Sequence, residues 1–162
     1  MRIIVLGVGN ILLSDEGIGV RTVEKLQRDF VLPAEVEIID GGTTGMEMLE
    51  DLAGADHIVI VDAVRSGQAP ASIVKLTGDQ VPVFFRTKLS PHQIGLSDVL
   101  ATLELTGEAP GGITVIGVEP ASLETAIELS PQVEALLPEL VDLVVAELRQ
   151  LGVAAGRMAK AA

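Results

Sequence analysis

Short runs of mostly apolar residues recur along this chain, and the segments between them carry helical spacing. That alternation constrains the fold more than any other feature. Ile3–Leu6 stops at Gly7-Val8-Gly9-Asn10, Glu35–Ile39 at Asp40-Gly41-Gly42, and His57–Val61 at Asp62. Ile113–Val118 is another clear run and Ser72–Leu76 a weaker one. Each reads as a strand. Continuous apolar runs belong to strands covered on both faces, and such strands are mostly parallel.

The intervening helices have readable starts. Ser14 is the expected N-cap of a helix over about Asp15 to Asp29, where Gly19, Val23, Leu26 and Phe30 share one face. A short helix is expected from Gly45 to Leu52. Ser90-Pro91 and Ser130-Pro131 each place a cap before a proline at the first helical position. The helices they start are expected to end near Leu105 and Leu151. Phe84–Lys88 reads equally as loop or edge strand. The expected architecture is α/β: a single domain over residues 1–151, with a mostly parallel, twisted five-stranded sheet and helices on both faces. Residues 152–162 are small and are expected to form a flexible tail.

The chain has 162 residues, enough for one domain with a proper core. Aromatic residues make up only 2 %, so the core must be aliphatic. The same scarcity argues against the stacking platforms of single-stranded nucleic-acid binders. A net charge of -12 repels phosphate backbones and anionic lipid headgroups, and mildly favours a monomer. Neither nucleic acid nor membrane is therefore an expected partner. With no cysteine there is no disulfide, no thiolate nucleophile and no sulfur-ligated zinc, which fits a reducing cytoplasm. A Gly-rich turn soon after Arg2 is unlike a signal peptide, and no stretch approaches the roughly eighteen apolar residues of a membrane span.

Glu16, Asp62 and His92 are the candidate functional residues. Asp62 ends a buried strand, where an open α/β sheet builds its binding crevice. Its plainer reading is a cap on the following turn. Glu16 lies in the first turn of a predicted helix, where the dipole alone favours a carboxylate. Gly9, Gly17 and Gly19 around it clear space for something to approach the backbone. His92 lies near the second position of a predicted helix, where the dipole favours the neutral, metal-ligating imidazole. Its plainer reading is an exposed loop histidine. The arrangement suggests an oxygen/nitrogen metal site or an acid–base site; as a metal site, two carboxylates and an imidazole suit borderline divalent ions such as nickel, zinc or cadmium, and three protein ligands leave positions open. Asp15 and Asp40 are expected to support the site without touching its ligand. Asn10 either contacts a ligand or stabilises its turn. His57 is expected to be structural, at the amino end of the sheet. The acids from Glu119 to Glu147 are expected on a solvated helix face.

Other chemistries fit poorly. Gly7-Val8-Gly9-Asn10 suggests a dinucleotide loop, but the third glycine is missing, since position 12 is Leu. There is no Gly-x-Ser-x-Gly elbow and no His-Glu-x-x-His.

The stretch Val5-Leu6-Gly7-Val8-Gly9-Asn10-Ile11-Leu12-Leu13-Ser14-Asp15-Glu16-Gly17-Ile18-Gly19-Val20 resembles the N-terminal signature of the hydrogenase maturation endopeptidases. Asp40-Gly41-Gly42-Thr43-Thr44-Gly45, Asp62-Ala63, Leu89-Ser90-Pro91-His92-Gln93 and Gly117-Val118-Glu119-Pro120 agree with it. The resemblance spans roughly residues 3 to 150. It implies an endopeptidase that removes the C-terminal extension from a nickel-iron hydrogenase large-subunit precursor after nickel insertion. It also implies that Glu16, Asp62 and His92 contact that nickel, which the substrate supplies and which zinc or cadmium would replace. Asp62, with Glu16, would then serve catalysis, either as general base toward water or beside a metal that activates it. A non-catalytic chaperone that checks nickel loading is the rival reading, and a nucleotide-binding domain is a third.

Overall fold

The computed structural model describes residues 1–81 and 91–157, with backbone alone for residues 91–94. Phe84–Lys88 and the Ser90 cap lie outside the described residues. In chain order the elements are β1 (Ile3–Val8), α1 (Ile18–Asp29), β2 (Phe30–Val31), β3 (Val36–Gly42), α2 (Leu49–Leu52) and β4 (His57–Ala63). They continue with β5 (Ile73–Thr77), α3 (Pro91–Thr106), β6 (Gly112–Val118), α4 (Pro131–Glu134), α5 (Leu137–Gln150) and β7 (Gly156–Arg157).

The main sheet has five strands in the order β3-β1-β4-β6-β5. β3, β1, β4 and β6 are parallel; β5 runs antiparallel to β6 on the edge. The mostly parallel five-stranded sheet matches the expectation. The central strands are covered on both faces, as continuous apolar runs require.

Strand alternation divides the core in two. Ile3, Val5, Val59, Val61 and Ile116 face the cluster that holds Val23 and Leu26 of α1 with Leu140, Val144 and Leu148 of α5. Ile4, Leu6, Ile58, Ile60 and Val115 face Met48, Leu52 of α2, and Leu96, Val99 and Leu103 of α3. Each fully buried Leu or Ile stabilises the fold by about 1.5–3 kcal/mol relative to exposure.

Several details differ from expectation. Ser14 is not the cap of α1. Its backbone sits at φ 53° and its hydroxyl donates to the Glu124 carbonyl, so it is committed to a distant loop. Ser14–Gly17 forms one 3-10 turn and α1 starts only at Ile18. The last helix is split, and its second part has Pro138, which lacks an N–H, in the first turn. Ser130 does cap the first part: its hydroxyl oxygen accepts from the Val133 N–H. The expected tail is ordered at its start: Val153 and Ala155 are buried. β7 pairs antiparallel with β2, joining Gly156–Arg157 to Phe30–Val31. Residues 158–162 lie outside the described residues.

Candidate active site

β1 and β4 lie side by side, but β1 leads across to β3 on one side and β4 leads toward β6 on the other. Their carboxyl ends therefore border the point where the order of strands reverses, the place where open α/β sheets bind ligands. The turn after β1 carries Glu16. The end of β4 carries Asp62.

Glycines bring that turn against the strands. Gly9 has φ 129°, and a Cβ there would lie 1.8 Å from the Glu16 carbonyl oxygen. Only glycine allows that approach without displacing the turn. Gly19, at the start of α1, sits against β4 as closely: a Cβ would lie 2.0 Å from the Val61 carbonyl oxygen. The two contacts hold the Glu16 turn beside the end of β4.

Both carboxylates are buried, Glu16 at 4 % and Asp62 at 0 % exposure. Asp62 lies within β4 rather than past its end, since it still pairs with Gly117 of β6. Its Oδ1 accepts the Ala63 N–H at 2.8 Å. Alternation along β4 puts Asp62 on the same face as Ile58 and Ile60, which α3 covers. His92 belongs to the first turn of α3, the helix whose later residues Leu96, Val99 and Leu103 pack on that face. The His92 side chain lies outside the described residues. Among the described residues, no group of three or more His, Asp or Glu side chains forms a metal cluster.

A cleft of about 290 Å³ opens beside the Glu16 turn, lined by Asn10, Leu12, Val20, Asp40 and Thr43 among others. Asn10 Oδ1 accepts the Leu12 N–H at 2.9 Å, so its carbonyl is used in its own turn. Asp40 Oδ1 accepts the Gly42 N–H at 3.0 Å, beside a register shift after which Val8 at the end of β1 pairs with Gly42.

Asp15 is fully buried. It accepts the backbone N–H groups of Ala121, Ser122 and Ser130 at 2.9, 2.9 and 2.8 Å, and the Ser130 hydroxyl at 2.8 Å. Sequence reasoning gave it a supporting role but could not supply these partners, which lie more than a hundred positions downstream.

Two other acids correct the expectation of a solvated helix face. Glu147 is 6 % exposed. It accepts from the Thr114 hydroxyl at 2.7 Å and lies 2.6 Å from Lys75 Nζ. Its place in the stripe Leu140, Val144, Leu148 carried the missed signal: position 147 points inward at helical spacing. Glu119 is in a loop, not a helix, and its Oε2 accepts the Ser66 N–H at 2.9 Å. His57 is structural and at the amino end of β4, as expected, bonded to Thr114 Oγ1 at 2.8 Å.

Comparison with known proteins supplies the activity. The hydrogenase maturation protease family matches residues 20–147. The chain is 53 % identical over 156 residues to the hydrogenase 2 maturation protease of Escherichia coli K12, covering 96 % of this chain and 95 % of the relative. It is similar to the solved hydrogenase-maturating endopeptidase HybD from E. coli, with a TM-score of 0.95, 51 % identity, and coverage of 99 % and 100 % of the two chains. A hydrogenase 2 maturation peptidase from a thaumarchaeote matches with a TM-score of 0.70 at 34 % identity, over 94 % and 99 % of the chains. The chain belongs to the hydrogenase maturation protease family and is an endopeptidase.

Proposed function

We propose that this endopeptidase removes the C-terminal extension of a nickel-iron hydrogenase large-subunit precursor once nickel has been inserted, and that it reads the precursor's nickel through Glu16, Asp62 and His92. The observation that carries the reading is the burial of Glu16, on the turn that follows β1, and of Asp62, at the end of the neighbouring β4, at the sheet's reversal point. Carboxylate oxygens held at one crevice are donors that suit a divalent cation. The donor set of two oxygens and an imidazole suits nickel, and zinc or cadmium in its place. It leaves coordination positions for groups of the precursor. A site with no sulfur of its own is expected to hold metal only weakly in the free protease.

Asp62 is the candidate general base toward the attacking water, with Glu16 beside it. Metal activation of that water is the competing route. No helix among the described residues is long and apolar enough to cross a membrane. A cysteine-free acidic chain fits work in the cytoplasm, as a monomer.

The test is incubation with a large-subunit precursor, with and without nickel, followed by intact-mass spectrometry. Loss of the C-terminal peptide from the nickel-loaded form alone is the expected result. A precursor that keeps its mass when bound would favour the chaperone reading instead.

A further inference from the structure

The motif Gly117-Val118-Glu119-Pro120 and the loop after it have no part in the chemistry above, yet they join both segments that present the acids. On one side the loop grips the Glu16 turn. The Ser14 N–H donates to the Ala126 carbonyl at 2.9 Å, the Asp15 N–H to the Ser122 carbonyl at 3.2 Å, and the Ala126 N–H to the Leu12 carbonyl at 3.0 Å. The Asp15 carboxylate takes four donors from Ala121, Ser122 and Ser130. On the other side the loop grips the segment that leaves β4. The Val64 N–H donates to the Val118 carbonyl at 2.9 Å, and the Ser66 N–H to Glu119 Oε2 at 2.9 Å.

We propose that residues 118–130 form a single brace that sets the Glu16 turn against the Asp62 strand end, with Asp15 and Glu119 as its positioning residues. The inference rests on the reading of Glu16 and Asp62 as the nickel-contacting acids. Asp15 cannot itself reach the ligand, because both its oxygens are taken by the loop. Its burial is compensated by four hydrogen bonds to an ionised acceptor, which are stronger than neutral ones. A single buried anion thus ties together Ala121, Ser122 and Ser130 of one loop and the residue next to Glu16. Glu119 ties the loop to the other side more weakly, through one bond to Ser66, four residues past Asp62, from a half-buried position. Loosening either tie lets the two acids drift apart, and displacement by about 1 Å is enough to cost up to about a hundredfold in rate.

The experiment compares wild type with D15N, S130A and E119Q by two readouts. One is kcat/KM for cleavage of the nickel-loaded precursor. The other is the Kd of Cd²⁺ for the free chain, by titration calorimetry, normalised to folded protein by circular dichroism. D15N and S130A are expected to lower kcat/KM by about tenfold or more and to weaken Cd²⁺ binding several-fold, with E119Q smaller in both. A purely structural role would lower the folded fraction and leave the Cd²⁺ Kd per folded molecule unchanged. Should D15N fail to fold, S130A and E119Q decide the matter. Folded variants with wild-type Kd and wild-type kcat/KM overturn the brace. A wild-type chain that binds Cd²⁺ but leaves the precursor uncut overturns the proposed substrate instead, and the Kd comparison still decides the brace.

Discussion

Thr114 gives its hydroxyl proton to Glu147 Oε1 across 2.7 Å. Its oxygen must then accept from His57 Nε2 at 2.8 Å, which fixes the neutral imidazole with its proton on Nε2. The array sits where β4 and β6 begin, at the end of the sheet away from Glu16 and Asp62. Burial lowers the His57 pKa below its usual 6.5, against the pull of the Glu147 carboxylate. Burial alone would raise the Glu147 pKa, but hydrogen bonds from Lys75 and Thr114 outweigh it and hold it below 4.5.

Both shifts give the same sign. A histidine with a lowered folded pKa binds its proton more readily when unfolded, so its contribution is full above about pH 6.5 and fades as pH falls. The Glu147 contribution is full above about pH 4.5 and is lost on further acidification. Urea denaturation from pH 7.5 to 5 should show falling stability through the first window. His57→Gln, which retains a donor toward Thr114, should flatten that decline. An unchanged slope in the variant would show that His57 is not its source.

Lys75 is the cation for Glu147 Oε2, at 2.6 Å, with its own side chain partly in solvent. Lys75→Ala leaves a buried carboxylate without that charge. The expected cost is about 1–2 kcal/mol, read as a lower urea midpoint at unchanged m-value. Cleavage by the folded fraction should stay at the wild-type rate, because the array is remote from the site.

The glycines at the site predict opposite balances of folding and function. Gly19→Ala forces a methyl group into the Val61 carbonyl and should destabilise by about 3 kcal/mol or more. Gly9→Ala meets the Glu16 carbonyl and also carries a side chain at φ 129°, so the Glu16 turn must shift. Its signature is low turnover per folded molecule. Thermal melts run beside cleavage assays separate the two effects.

Glu16→Gln and Asp62→Asn test the chemistry directly. Each keeps size and an acceptor oxygen but removes the charge. The expected loss in kcat/KM for the nickel-loaded precursor is about 10²- to 10⁴-fold, with no fall in melting temperature. Near-normal cleavage by Asp62→Asn would remove the general-base role and leave water activation to the metal.

Most of the fold was readable because its signals are local. Ile3–Leu6, His57–Val61 and Ile113–Val118 declare buried strands by composition alone. The strand order was not readable, since pairing β1 with β4 depends on contacts more than fifty residues apart. Asp62 stands out in the sequence because a strand end in an α/β sheet is an informative address, and its burial at the end of β4 agrees with that placement. Glu16 stands out for its glycines, whose close approaches the structure shows, and not for its helix, which begins later than Ser14 suggests. Asp15 and Glu119 were misjudged or under-read for one reason: their partners are backbone N–H groups of distant loops, and such bonds leave no trace in residue type. Glu147 was different, because its spacing with Leu140 and Val144 did announce burial, and the charge masked it.

The bond between Ser130 and Asp15 joins residues 115 positions apart. Both acids of the site have been synthesised once residue 62 is made, yet the frame that sets them is delivered only with residue 130. A nascent or truncated chain that ends before residue 130 therefore lacks the Asp15–Ser130 tie, and such a chain is expected to hold Glu16 and Asp62 without the brace proposed to set them.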